Sequence, residues 1–233
     1  MKGTDMTTLT KRTSVGYTDD VMKMLSQTYV GMAILLGTTG VASLLATTVF
    51  AEVVKENLLA FLIVSIIGMF GALFATLATR NKAQGFLWAN AMAMFMGLMV
   101  APVLTQTLNA YTNGANLIAM SAFGAASIVV GLSAYVFYAK KDFSYLGSSL
   151  GILLWTIIIA GVLNMFFQLS MLSTILAGVG ILVFSGYVLY DTSRILNGEE
   201  TNWIMASTSM YLNFMNLFLD LLRVLSAVGG DSD

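Results

Sequence analysis

The chain has 233 residues, of which 58% are apolar and only 10% charged, with 11 basic residues set against 12 acidic ones. A soluble domain carries about 25% charged residues, so this composition excludes a water-soluble globule and a disordered chain alike. The net charge of −1 gives no reason to expect a nucleic-acid partner. Cys and His are absent, which removes thiolate and imidazole chemistry and the commonest metal ligands.

Residues 1–24 are polar and mixed in charge, and read as a cytosolic N-terminal tail. A membrane-spanning helix needs about 20 predominantly apolar residues. Seven such stretches follow: Thr28–Phe50, Asn57–Thr79, Phe86–Thr107, Ala115–Tyr138, Leu146–Phe167, Leu172–Tyr190 and Trp203–Val228. The first is too long for a signal-peptide core and lacks a cleavage site, so it reads as a retained helix. Residues 25–228 are therefore expected to form one all-α bundle of seven transmembrane helices, with 229–233 as a short extracytosolic tail.

Basic residues set the expected orientation. The tail carries Lys2, Lys11, Arg12 and Lys23, and the six connections carry in turn Lys55; Arg80 and Lys82; none; Lys140 and Lys141; none; Arg194. This alternation needs an odd number of spans and places the N-terminus in the cytosol and the C-terminus outside.

Gly68, Gly71, Gly124, Gly131, Gly147, Gly151 and Gly178 are read as close-approach points between helices, and the 16 Met as adaptable packing. Pro102 lies within the third span and frees the carbonyl of Leu98, so a kink is expected there. Gly147-Ser148-Ser149-Leu150-Gly151 has the spacing of a serine nucleophile motif. It opens a membrane helix in a chain without His, and Lys140 and Lys141 read as interfacial charges, so the match is discounted. Zinc, phosphate-loop and dinucleotide motifs are absent too. The expectation is a protein that is not an enzyme and needs no cofactor.

Charge within the membrane is costly and usually faces a bundle interior. Here Asp191, Arg194, Asp220 and Arg223 are the candidates, all on the last two spans. Each Asp precedes its Arg by three residues, so the pairs can meet on one helix face. The polar turn 197–202 makes the last two spans an antiparallel hairpin, which brings Asp191 level with Asn213 to within about one helical turn. Asn213, Asn216 and Asp220 then form a polar stripe suited to a central helix. Asn164 and Gln168 either add to an internal polar path or bond across helices.

Phe184-Ser185-Gly186-Tyr187-Val188-Leu189-Tyr190-Asp191, the segment from Met210 through Leu219, and Leu221-Leu222-Arg223 resemble the signature of the transmembrane Bax inhibitor motif family. The resemblance extends to Arg80-Asn81-Lys82-Ala83-Gln84-Gly85, to the segment from Lys140 to Gly147 and to Gly198–Trp203, over residues 25 to 228. The latter two segments look most like the bacterial branch that includes a modulator of the FtsH membrane protease. What the resemblance implies is a seven-helix bundle with the seventh helix central, in a bacterial inner membrane. It also implies either inhibition of a FtsH-type protease or a pH-sensitive calcium leak gated by two aspartates.

Asp191 matches the first of those aspartates; the second position is Asn213, and Asp220 is a further acid on the same path. Arg80 is the nearest match to an arginine that the family associates with the closed gate, and Arg194 and Arg223 either steady that gate or simply end their spans. Two neighbouring carboxylates repel each other, whereas Asn can donate to an ionised Asp. Any pH gating is therefore expected to be blunted or shifted toward acid. Calcium prefers several oxygen ligands, so Asp191 is expected to pass it transiently rather than store it. A secondary transporter fits less well, because no inverted repeat is visible.

Overall fold

The computed structural model describes residues 17–230. The tail readings for 1–16 and 231–233 lie outside the described residues. Among the described residues, seven helices are long and apolar enough to cross a membrane. They are α1 (Asp19–Thr48), α3 (Leu58–Thr79), α4 (Gln84–Ala110), α5 (Gly114–Ala139), α6 (Gly147–Phe167), α7 (Ser170–Leu196) and α8 (Trp203–Gly229), with a six-residue α2 (Ala51–Glu56) after α1.

Helix ends depart from the apolar windows in ways that physical chemistry explains. α1 begins at Asp19, inside the segment read as tail, because Asp19 and Asp20 in its first turn suit the positive end of the helix dipole. α7 runs on past Tyr190 to Leu196, so Asp191 and Arg194 lie inside its last turns rather than in a connection. α4 is continuous from Gln84 to Ala110 across Pro102.

The expected central helix is α8, which packs against α7, α1, α5 and α4. Its Met210, Tyr211 and Leu217 are fully buried, together with Leu35, Met92, Val129 and Val188 from four other helices. Hydroxyl groups tie this core together. The Thr39 Oγ1 lies 2.6 Å from the Tyr211 phenol oxygen and 3.0 Å from the Ala93 carbonyl, joining α1, α8 and α4.

By contrast, α3 packs on α4 and α6 on α7, so these two helices form the rims of the bundle. Their outward faces carry exposed Leu59, Ile67, Phe74, Ile152 and Trp155, side chains that suit lipid rather than water.

Alternation of the spans gathers the start of α1 and the connections 80–83, 140–146 and 197–202 at one end. Tyr17 marks this closure: its hydroxyl donates to the Phe137 carbonyl at 3.3 Å and its ring lies 5.0 Å from that of Phe137.

Candidate functional site

The site is built where the α7–α8 hairpin closes. Gly198 ends α7 at φ +73, a left-handed conformation that favours glycine. Behind it, the Glu199 and Glu200 amides donate to the Arg194 carbonyl at 2.9 and 3.2 Å. Asn202 caps α8: its Oδ1 accepts the Met205 amide at 3.1 Å. The same side chain reaches the preceding connection, its Nδ2 donating to the Arg80 carbonyl at 2.9 Å and to Asn81 Oδ1 at 3.1 Å. A matching clamp holds the 140–146 connection. Asn197 Nδ2 donates to Asp142 Oδ1 at 2.9 Å, and the Phe143 amide donates to Ser193 Oγ at 3.0 Å.

With the turn so fixed, Asp191 on α7 meets two residues of α8. Asn213 Nδ2 donates to Asp191 Oδ2 at 2.8 Å, and Ser209 Oγ donates to the same oxygen at 2.6 Å. Asp191 is only 8% exposed and Asn213 only 5%. The other carboxylate oxygen, Oδ1, accepts no hydrogen bond from a described side chain or amide. Beside the carboxylate is a partly open cavity of about 120 Å³, lined by Asp191, Arg194, Ile195, Glu200, Met205, Ala206 and Ser209. Thr192, next to Asp191, has its hydroxyl 3.1 Å from that of Ser133 on α5. The Tyr29 hydroxyl on α1 is buried beside this pair, facing the Ser133 and Thr192 hydroxyls without a hydrogen bond of good geometry.

The arginines are placed differently from the sequence expectation. Arg194 does not pair with Asp191. It turns toward the hairpin, 3.8 Å from Glu199 and 3.7 Å from Glu200, with its guanidinium carbon 5.5 Å from the Tyr190 ring centroid. A helical i, i+3 spacing allows a contact, but the acids of the turn offer Arg194 one nearer the water, where less desolvation is needed. Arg223 is exposed and, among the described residues, forms no ion pair with Asp220. Arg80 is likewise exposed and joins the hairpin through its carbonyl rather than its guanidinium.

Asp220 does not join Asp191. It sits farther along α8 with its carboxylate packed over Gly180 of α7, where a Cβ would collide with it. Asn216, between them in the stripe, donates to the Leu212 carbonyl at 2.8 Å within its own helix. Asn164 and Gln168 build no internal path. Asn164 exchanges hydrogen bonds with the Leu169 backbone at 3.2 and 3.1 Å to close the α6–α7 turn, and Gln168 takes a left-handed φ of 51 there.

Ser209 and Glu200 are the members that the sequence reading missed. Ser209 precedes Asn213 by four residues and so shares its face, a signal available in the sequence but common to any Ser in a helix. Glu200 reaches the cavity only because the turn folds back over α7. Chemically, the arrangement offers one carboxylate with a free edge, a second acid at the cavity mouth, and amide and hydroxyl oxygens. No group of three or more acidic residues that could hold a metal ion occurs among the described residues.

Comparison with known proteins agrees with this architecture. A family model described as "Inhibitor of apoptosis-promoting Bax1" matches residues 21–230. "Modulator of FtsH protease YccA" of Escherichia coli is 38% identical over 170 residues, covering 73% of this chain and 77% of that protein. An "Uncharacterized membrane protein" of Vibrio cholerae is 32% identical over 223 residues, 95% of this chain and 97% of its own. The mouse "Protein lifeguard 4" is 31% identical over 171 residues, covering 72% of this chain and 69% of that protein. With a family model spanning every transmembrane helix and relatives in bacteria and mouse, the chain belongs to the Bax inhibitor family of integral membrane proteins.

Proposed function

We propose that this membrane protein restrains a FtsH-type membrane protease, acting from a bacterial inner membrane with its N-terminus in the cytosol. The observation that carries the reading is the 38% identity, over 73% of the chain, to a protein named as a modulator of that protease. What supports it in the architecture is a single surface at the N-terminal end, where Asn202 and Asn197 bind the 80–83 and 140–146 connections to the hairpin. Such a surface is rigid enough to serve as a docking face for a partner.

Co-purification from native membranes tests the reading, combined with the half-life of a membrane substrate of the protease. The protease is expected to co-purify, and the substrate to persist longer when this protein is overproduced. An unchanged half-life and no co-purified protease would overturn the proposal. Removing residues 1–16, which leaves α1 whole, tells whether the tail contributes: lost co-purification assigns binding to the tail, and retained co-purification assigns it to the connections.

A second reading is a cation leak in which Asp191, Asn213 and Asp220 line the path, with Arg80, Arg194 and Arg223 near its ends. It is favoured by one observation: the free edge of a buried carboxylate beside a partly open cavity. Calcium would be the cargo, held briefly by Asp191 and Glu200. Flux into liposomes across mildly acidic to mildly alkaline pH separates the readings. With Asn at the second position the expected pH response is shallow; a steep one near neutrality, lost in Asp191→Ala, would contradict it.

A further inference from the structure

α5 and α6 follow each other in the chain yet make no substantial contact; both pack on α7. Their attachment points lie on different sides of that helix. Thr192 faces Ser133 of α5, while Gly186 receives the Leu150 side chain of α6 and Tyr190 lies against Gly147. At about 100° of rotation per residue, the strip of α7 between those two sides carries Ile175, Leu182 and Leu189, spaced seven apart. Leu182 is 73% exposed and Ile175 51%. Because α5 and α6 do not close over it, this strip of α7 is the floor of a wide, open apolar cleft.

The head of this cleft is cationic. α5 ends at Lys140 in a left-handed conformation, φ 53, and the chain turns over the cleft through Lys141, Asp142 and Phe143. Phe143 is pinned to Ser193 of α7, and Asp142 is occupied by the Ser144 amide at 2.9 Å and by Asn197. Lys140 and Lys141 are exposed and form no ion pair with a described residue. Beside them, Tyr138 is 80% exposed and Tyr145 71%, as suits aromatic rings at a headgroup boundary. Along α7, Leu182 lies eleven residues from Ser193, a rise of about 16 Å, close to the roughly 15 Å of one leaflet's hydrocarbon.

We propose that the cleft between α5 and α6 holds an anionic phospholipid, its phosphate between Lys140 and Lys141 and an acyl chain laid over Leu182. Charge decides the occupant. An apolar helix from another protein would fill the floor but leave two ammonium groups unmatched, whereas an anionic lipid satisfies both ends. The inference does not depend on whether a protease is the partner.

Native mass spectrometry of the full chain, titrated with phosphatidylglycerol or phosphatidylcholine in detergent, tests it. Wild type is expected to retain phosphatidylglycerol selectively. Two basic groups near a membrane surface contribute about 1 kcal/mol each, so K140Q/K141Q should weaken that retention about thirtyfold. K140R/K141R should keep it, and L182W should abolish it with both lysines present. Equal retention of the two lipids by wild type, or unchanged phosphatidylglycerol retention in K140Q/K141Q, overturns the proposal. So does a photo-crosslinker at position 182 that captures a polypeptide from native membranes instead of lipid.

Discussion

Asp191 receives both of its hydrogen bonds on one oxygen, from Ser209 and Asn213, and this settles how a carboxylate survives at 8% exposure within a transmembrane helix. A buried charge without donors carries a desolvation penalty of several kcal/mol, and each donor to an ionised group recovers part of it. Asn213→Leu should therefore destabilise the protein by about 2 kcal/mol, read as a lowered unfolding midpoint in detergent. Asn213→Asp should behave differently. A second carboxylate in place of the Nδ2 donor repels the first, so this variant is less stable than wild type at neutral pH. Acid neutralises one member of the pair and removes the repulsion, so the deficit should shrink as pH falls. A deficit that stays constant across pH would exclude direct contact between positions 191 and 213. Hairpin arithmetic brings these two residues to one level only to within about one helical turn, and the hydrogen bond between them is set by how the two helices face each other. The failure of Arg194 to join Asp191 was not legible, since local spacing says nothing about the competing acids of the turn.

Between helices, close approach is decided by which face a small residue occupies. A Cβ on Gly97 would meet the Thr39 carbonyl of α1, a backbone atom that cannot swing aside, and Gly31 of α1 is similarly closed by Ser207 of α8. Gly71, on the rim helix α3, has nothing within 4 Å of such a Cβ. Gly97→Ala should cost about 1–3 kcal/mol by overpacking. Gly71→Ala should be neutral or slightly stabilising, because alanine favours the helix. Parallel thermal unfolding of the two variants checks this, and equal losses would contradict the packing of α4 on α1. Among the glycines chosen from sequence, Gly68, Gly124 and Gly147 do face neighbouring side chains, while Gly131, Gly151 and Gly178 face open space; Gly31, Gly97, Gly180 and Gly186 were missed. Spacing identifies a small stripe but not the partner helix. Asn202 makes the corresponding point for connections. Asn202→Ala removes the α8 cap and both bonds to 80–81, and should cost about 1–2 kcal/mol, with faster amide exchange in the 80–83 connection as the specific sign.

For the molecule as a whole, the charged connections make a prediction about placement in the membrane. Arg80, Lys82, Lys140, Lys141 and Arg194 lie at the N-terminal end, against Lys55 and Arg223 nearer the other. By the positive-inside rule, a C-terminal alkaline phosphatase fusion should be active and a C-terminal green fluorescent protein fusion dark; the reverse pattern would invert the orientation. The number of spans, their order and the all-α class follow from the sequence alone, because a stretch of about 20 apolar residues in a lipid solvent has no alternative to a helix that satisfies its backbone. The level at which Asp191 meets Asn213 follows to within about one helical turn, being a matter of chain length around the connection. The polar stripe of α8 already pointed to a central helix; tertiary structure alone decided that α3 and α6 are rims, that Ser209 rather than Arg194 completes the Asp191 site, and that α5 and α6 stand apart over α7. Each of these depends on which helix faces which. Lipid is as apolar as the helix interior, so hydrophobicity cannot distinguish an outward face from an inward one; packing shape and hydrogen bonds make that choice.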